Sequence, residues 1–169
     1  MNLTHLIPIL MVSMLWGCSS KTIEQSENTA VFQHGVASGD PLNDRVIIWT
    51  KITPPDSIEA VEVDWEVATD SAFNGILKYG KYTTVGDQDF TVKVDVKGLN
   101  PGIKYYYRFK AMGETSLPGK TKTASRYTDQ LVFAVVSCSN YEWGYFNAYG
   151  RIADREDIDA VIHLGDYIY

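Results

Sequence analysis

Three side chains in the last third of the sequence are of types that can hold a metal ion. Cys138 and Asp166 offer a thiol and a carboxyl group, and Tyr169 adds a phenol three residues further on. Thiolate, carboxylate and phenolate can each act as a metal donor. Cys138 and Asp166 together read as a metal half-site, and Tyr169 completes it if the chain curls back on a tight turn. Two plainer roles stay open on spacing alone: a buried structural thiol for Cys138 and a packed strand tyrosine for Tyr169.

The elements that must position these groups are legible around them. Leu131 to Val136 is a continuous apolar run, as expected of a parallel strand buried on both faces, and it stops at Ser137-Cys138-Ser139-Asn140. Tyr145, Tyr149, Ile152 and Ala153 then recur at helical spacing, with Arg151, Asp154 and Arg155 on the opposite face. Asp159 to Leu164 is a second apolar run, ending at Gly165-Asp166. Strand, helix, strand over about forty residues predicts a parallel βαβ unit. Parallel strands end on one edge, so Cys138 and Asp166 are brought to the edge where open α/β sheets carry their sites. His163 lies within the second strand and is expected to be a core residue rather than a ligand.

The preceding segment, 31–125, has a different period. Val61, Val63, Trp65 and Val67 alternate with Glu62, Asp64 and Glu66, and Phe90, Val92, Val94 and Val96 alternate with polar residues. Tyr105, Tyr107 and Phe109 alternate likewise, while Arg45–Lys51 is a more uniformly apolar strand of the kind buried at a sheet centre. Turn signals such as Pro54-Pro55-Asp56 and Asn100-Pro101-Gly102 separate them, which predicts an antiparallel β-sandwich. Leu99-Asn100-Pro101-Gly102 followed by Tyr105 resembles the corner of a fibronectin type III domain, so Tyr105 is given a structural role. His34, beside Gly35, reads as a turn or packing residue.

Residues 1–17 carry no Lys, Arg, Asp or Glu, and their apolar run of about a dozen residues is shorter than the roughly 20 needed to span a bilayer. Leu15-Trp16-Gly17-Cys18 resembles a bacterial lipobox, which implies a lipoprotein-type signal peptide at 1–17, Cys18 as the lipidated residue and a tether at 18–30; a plain secretory peptide, with Cys18 discarded or free, is the alternative. Residence in the periplasm or at the cell surface, held to a membrane by the lipid, follows from the lipobox reading. With 15 Lys+Arg against 21 Asp+Glu and a net charge of −6, nucleic-acid binding through phosphates is not expected. Two cysteines in 169 residues exclude a disulfide-stapled scaffold.

Gly165-Asp166-Tyr167-Ile168-Tyr169 matches a Gly-Asp-x-x-Tyr motif and resembles purple acid phosphatases and the alkaline phosphatase D (PhoD-like) family. Phe32 to Pro41, followed by Val46-Ile47-Ile48-Trp49-Thr50, resembles the start of the PhoD-like N-terminal sandwich. Ser137-Cys138 stands where most calcineurin-like metallophosphoesterases carry Asp-x-His. The resemblance implies iron(III) paired with calcium, with Cys138, Asp166 and Tyr169 as iron ligands and Asp166 also reaching calcium. It implies hydrolysis of a phosphomonoester or phosphodiester by metal-activated hydroxide.

The expected architecture is therefore a fibronectin III-like β-sandwich at 31–125, followed at 131–169 by the first βαβ unit of a truncated α/β metallophosphoesterase domain. The 169 residues are expected to be the N-terminal part of a secreted phosphoesterase, inactive by themselves. The alternative is a surface-exposed fibronectin III-like binding module with a degenerate α/β stub.

Overall fold

The computed structural model describes residues 30–140 and 142–169. The expected signal peptide, Cys18 and all of the tether except Ala30 lie outside the described residues. Among the described residues, no helix is long and apolar enough to cross a membrane.

Eight strands occupy the first part: β1 (Val36–Gly39), β2 (Arg45–Lys51), β3 (Ala60–Ala68), β4 (Ile76–Val85), β5 (Thr91–Lys97), β6 (Lys104–Ala111), β7 (Glu114–Thr115) and β8 (Gly119–Lys122). The segments with period-two alternation fold as strands because one face of each can be buried while the other stays polar. β1, β2 and β5 form one antiparallel sheet with β2 in the middle. β4, β3 and β6 form the second, in which β6 also pairs with β7 and β8. Val46 and Ile48 of β2, Val92 and Val96 of β5, Val61, Val63 and Val67 of β3, and Tyr105, Tyr107 and Phe109 of β6 bury into one shared core. β2 is central as expected, yet its two faces are unequal: Val46, Ile48 and Thr50 are buried, while Ile47 and Trp49 are only half-buried.

The turn at Asn100–Gly102 is held as its residues suggest. Leu99 is buried, Gly102 takes φ 71°, and the buried Tyr105 hydroxyl accepts the Asn100 backbone N–H at 2.9 Å. His34 is exposed in a tight turn closed by the Gly35 N–H, which donates to the Phe32 carbonyl.

Beyond residue 131 the chain forms β9 (Phe133–Val136), helix α1 (Asn147–Ala153) and β10 (Ala160–His163). β10 pairs with β9 in parallel, from Ala160 opposite Phe133 to His163 opposite Val136. The expected burial of the first strand on both faces does not hold: Phe133 is 48% and Val135 58% exposed. Two short strands and one seven-residue helix have too little surface to cover both sides of a sheet. The helix also begins later than its apolar spacing suggests, after Phe146, which takes a left-handed φ of 50°. Tyr145 is left outside it and 90% exposed, and Ala153 is exposed too, so Tyr149 and Ile152 alone of the expected face are partly covered.

Ion pairs attach this unit to the two-sheet part. Lys104 and Lys120 both reach the Glu156 carboxylate, at 2.5 and 2.6 Å, and Lys122 reaches Asp159 at 2.6 Å. Asp159 also accepts the Val132 N–H, so one carboxylate links the lead into β9 to β8. A cleft of about 960 Å³ lies along this seam, and its charged lining includes these pairs and Arg155, which is bonded to Asp157. Hydrogen bonds from Lys104 and Lys120 hold the Glu156 carboxyl down, from an ordinary 4.5 to about 2. A depressed carboxylate stabilises above its unfolded value and loses that contribution as pH falls toward its folded value. The seam is therefore expected to loosen between about pH 4.5 and pH 2, and sooner in high salt because the pairs are exposed. Hydrogen exchange across 156–163 measures it: Glu156→Gln should show the loosened exchange already at pH 7 and a flatter acid dependence.

Candidate metal centre

The two parallel strands do bring the expected donors together. Leu164 N–H donates to the Val136 carbonyl at 2.9 Å, Cys138 N–H to Gly165 at 3.2 Å, and Ser139 N–H to Asp166 at 2.9 Å. Tyr169 N–H then donates to the Ser139 carbonyl at 2.9 Å, so the chain after β10 curls along the segment after β9. Cys138 Sγ lies 3.6 Å from Asp166 Oδ2, and Tyr169 Oη lies 3.8 Å from Cys138 Sγ. All three residues are exposed in this 169-residue chain.

Cys138 and Asp166 both take left-handed φ values, 59° and 51°. Side chains other than glycine enter that region at a cost, and such residues persist where the surroundings hold them. Nothing in the sequence signals this for Cys138. Hydrogen bonds from the phenol to Asp166 and then to Cys138, with some desolvation, push the Tyr169 pKa up from 10.0 to about 12.

Beside the donors lies a cleft of about 430 Å³, lined by Val135, Cys138, Asn140, Trp143, Phe146 and Tyr149 among others. Asn140 Oδ1 accepts the backbone N–H groups of Glu142 and Trp143, at 2.9 and 3.0 Å, and so fixes the loop that carries the exposed Trp143. A short polar residue after the strand was the one local hint of this turn. Behind the donors, Ser139 bonds the Tyr149 hydroxyl, which bonds His163. His163 is accordingly half-buried and hydrogen-bonded, not a packed core residue, and it contributes no donor to the cluster. Among the described residues there is no group of three or more His, Cys, Asp and Glu that would hold a metal without a tyrosine.

Comparison with known proteins places the chain in a family. The model of the PhoD-like phosphatase N-terminal domain matches residues 17–125, and the PhoD-like phosphatase model matches residues 133–169. The chain belongs to the PhoD-like phosphatase family. Alkaline phosphatase D of Bacillus subtilis (strain 168) is 45% identical over 148 residues, which are 82% of this chain and 25% of that protein. A solved structure of PhoD superposes with a TM-score of 0.75 at 42% identity, covering 83% of this chain and 28% of that one. This PhoD-like chain thus spans about a quarter of the length of the relatives it matches.

Proposed function

We propose that this chain carries part of the active site of an exported, metal-dependent phosphoesterase, with Cys138, Asp166 and Tyr169 as ligands of iron(III) and Asp166 shared with calcium. The observation that carries the reading is the convergence of a thiol, a carboxylate and a phenol at the ends of β9 and β10, in a chain of this family. The donor chemistry fits: each group can be anionic, and a carboxylate has two oxygens to divide between two cations. When bound, such a pair supplies hydroxide at neutral pH and positive charge opposite the phosphoryl oxygens of a phosphomonoester or phosphodiester.

The chain's own residues hold and orient. The backbone bonds between 138–139 and 165–169 fix the two donor-bearing segments against each other. With the phenol pKa raised to about 12 in the metal-free chain, loading must displace the Tyr169 proton, so metal uptake strengthens as pH rises. The Asn140 turn sets Trp143 at the rim of the adjoining cleft. The two-sheet part reads as a fibronectin III-like sandwich at 31–125, supported by the Tyr105 bond to Asn100, and 131–169 as the opening βαβ unit of a metallophosphoesterase domain.

A chimera tests the activity. Residues 30–169 would replace the matching quarter of the Bacillus subtilis relative, and hydrolysis of p-nitrophenyl phosphate and of its bis-ester would be followed. The chimera should work within about tenfold of the parent, and Cys138→Ala should cost it at least about 100-fold. A folded, iron-loaded chimera that cleaves neither ester defeats the proposal. The 169 residues alone should turn over little of either ester with iron(III) and calcium supplied.

The same proposal assigns residues 1–17 to export and Cys18 to lipid attachment, so the protein works at a membrane surface in the periplasm or outside the cell. Labelled palmitate should enter the wild-type protein and not Cys18→Ala; equal labelling would end the lipoprotein reading.

A further inference from the structure

His163 closes β10, three residues before Asp166, and both of its ring nitrogens are engaged. Nδ1 accepts the Gly165 backbone N–H at 3.2 Å, and Nε2 lies 3.1 Å from the Tyr149 hydroxyl. Tyr149 in turn bonds the buried Ser139 hydroxyl, and the ring of Tyr167 meets the imidazole edge-on with centroids 5.2 Å apart. A nitrogen that accepts an N–H carries no proton, so the neutral ring keeps its proton on Nε2 and donates it to Tyr149. That leaves the Tyr149 hydroxyl to donate to Ser139. One imidazole thereby reaches both donor-bearing segments: the turn leading into Asp166, and the residue following Cys138.

The turn needs such a hold. Gly165 takes φ 117° and Asp166 φ 51°, and this left-handed pair is what brings the Asp166 carboxylate to within 3.6 Å of Cys138 Sγ. Both residues are exposed, so hydrogen bonds rather than packing hold them: the Cys138 and Ser139 N–H groups bond their carbonyls, and the His163 ring takes the Gly165 N–H.

We propose that His163 is a positioning residue of the donor cluster: Nδ1 holds the Gly165–Asp166 turn, and Nε2–H ties that turn through Tyr149 to Ser139. What the cluster is for rests on the metal-centred function above; the positioning does not.

Two substitutions separate the two nitrogens. Asn Oδ1 stands where Nδ1 stands and accepts the Gly165 N–H, but Asn cannot reach Tyr149. Gln reaches Tyr149 with its terminal amide and leaves the Gly165 N–H without its acceptor. In the metal-free, 15N-labelled 169-residue chain, His163→Gln should raise amide exchange at Gly165 at least about tenfold. His163→Asn should stay within about threefold of wild type. Exchange at Tyr107 and Phe109 reports whether each variant has kept its sandwich. Tyr149→Phe, which leaves the imidazole in place, should leave Gly165 exchange unchanged. A second readout is titration with iron(III), followed by the absorption band of a metal-bound phenolate. His163→Gln should weaken binding by about 10–100-fold, and His163→Asn should weaken it less. Asn and Gln variants that exchange alike at Gly165 would overturn the proposal. A wild-type chain that takes up no iron would instead overturn the metal reading, and the exchange comparison would still decide the role of His163.

Discussion

With Asp166 as the iron(III) ligand proposed above, Asp166→Asn is expected to lower iron(III) affinity by more than about 100-fold, because losing even an outer partner of a metal ligand costs roughly 10–100-fold. The substitution isolates charge from shape. Asp166 sits at φ 51°, and asparagine tolerates the left-handed region as well as aspartate does, so the backbone bond from Ser139 N–H to the residue 166 carbonyl survives. What disappears is the anionic oxygen 3.6 Å from Cys138 Sγ and the charged acceptor of the Tyr169 phenol. The phenol pKa, now about 12, should fall back toward 10.0 in the metal-free variant. Iron titration and NMR of ring-labelled tyrosine read the two effects separately. Unchanged iron affinity in a folded Asp166→Asn chain would remove Asp166 from the ligand set.

Phe109→Ala is expected to cost about 3–5 kcal/mol, the range for emptying a large aromatic from a closed core. Phe109 is fully buried on β6, the strand that pairs with β3, β7 and β8. Its ring meets Tyr107 edge-on at 6.2 Å, and its backbone is bonded to Ser116 through both the Ser hydroxyl and the Ser N–H. Alanine leaves a cavity that these fixed neighbours cannot close. Against a usual total of about 5–15 kcal/mol, that is much of the margin of the fold. Urea unfolding measures it, and Phe133→Ala is the control: its ring is 48% exposed, and its loss should cost under about 1 kcal/mol. Since Lys104 of β6 holds Glu156, loosening β6 should also free the βαβ unit from the sandwich.

The strands that sequence periodicity marks are those with one buried face. Val61, Val63 and Val67 of β3 and Tyr105, Tyr107 and Phe109 of β6 alternate because burial alternates. β4 has no apolar alternation to mark it, for the converse reason. It lies along a sheet edge with only Thr84 fully buried, includes Gly80 and two lysines, and the missing Cβ of Gly80 makes room for the Trp65 indole. A strand whose inward positions are filled by Gly80, Tyr82 and Thr84 rather than aliphatic residues leaves no hydrophobic alternation to read. The apolar run at 131–136 shows the converse: its composition predicts burial, and how far that burial is realised depends on what else packs against its faces.

The donor types, their order and their placement after two apolar runs were determined by the sequence alone, because strand period and strand end are local properties. That sufficed to bring Cys138, Asp166 and Tyr169 to one edge, since parallel pairing puts both strand ends on the same side. Only the tertiary structure decided how close they come and what holds them. The His163–Tyr149–Ser139 chain and the Lys104–Glu156 seam join residues far apart in sequence, as do the backbone bonds from Cys138 and Ser139 to Gly165 and Asp166 that hold the two left-handed turns together. Such contacts leave no period to read, because hydrogen bonds and ion pairs depend on distances that exist only once β9, α1 and β10 have packed.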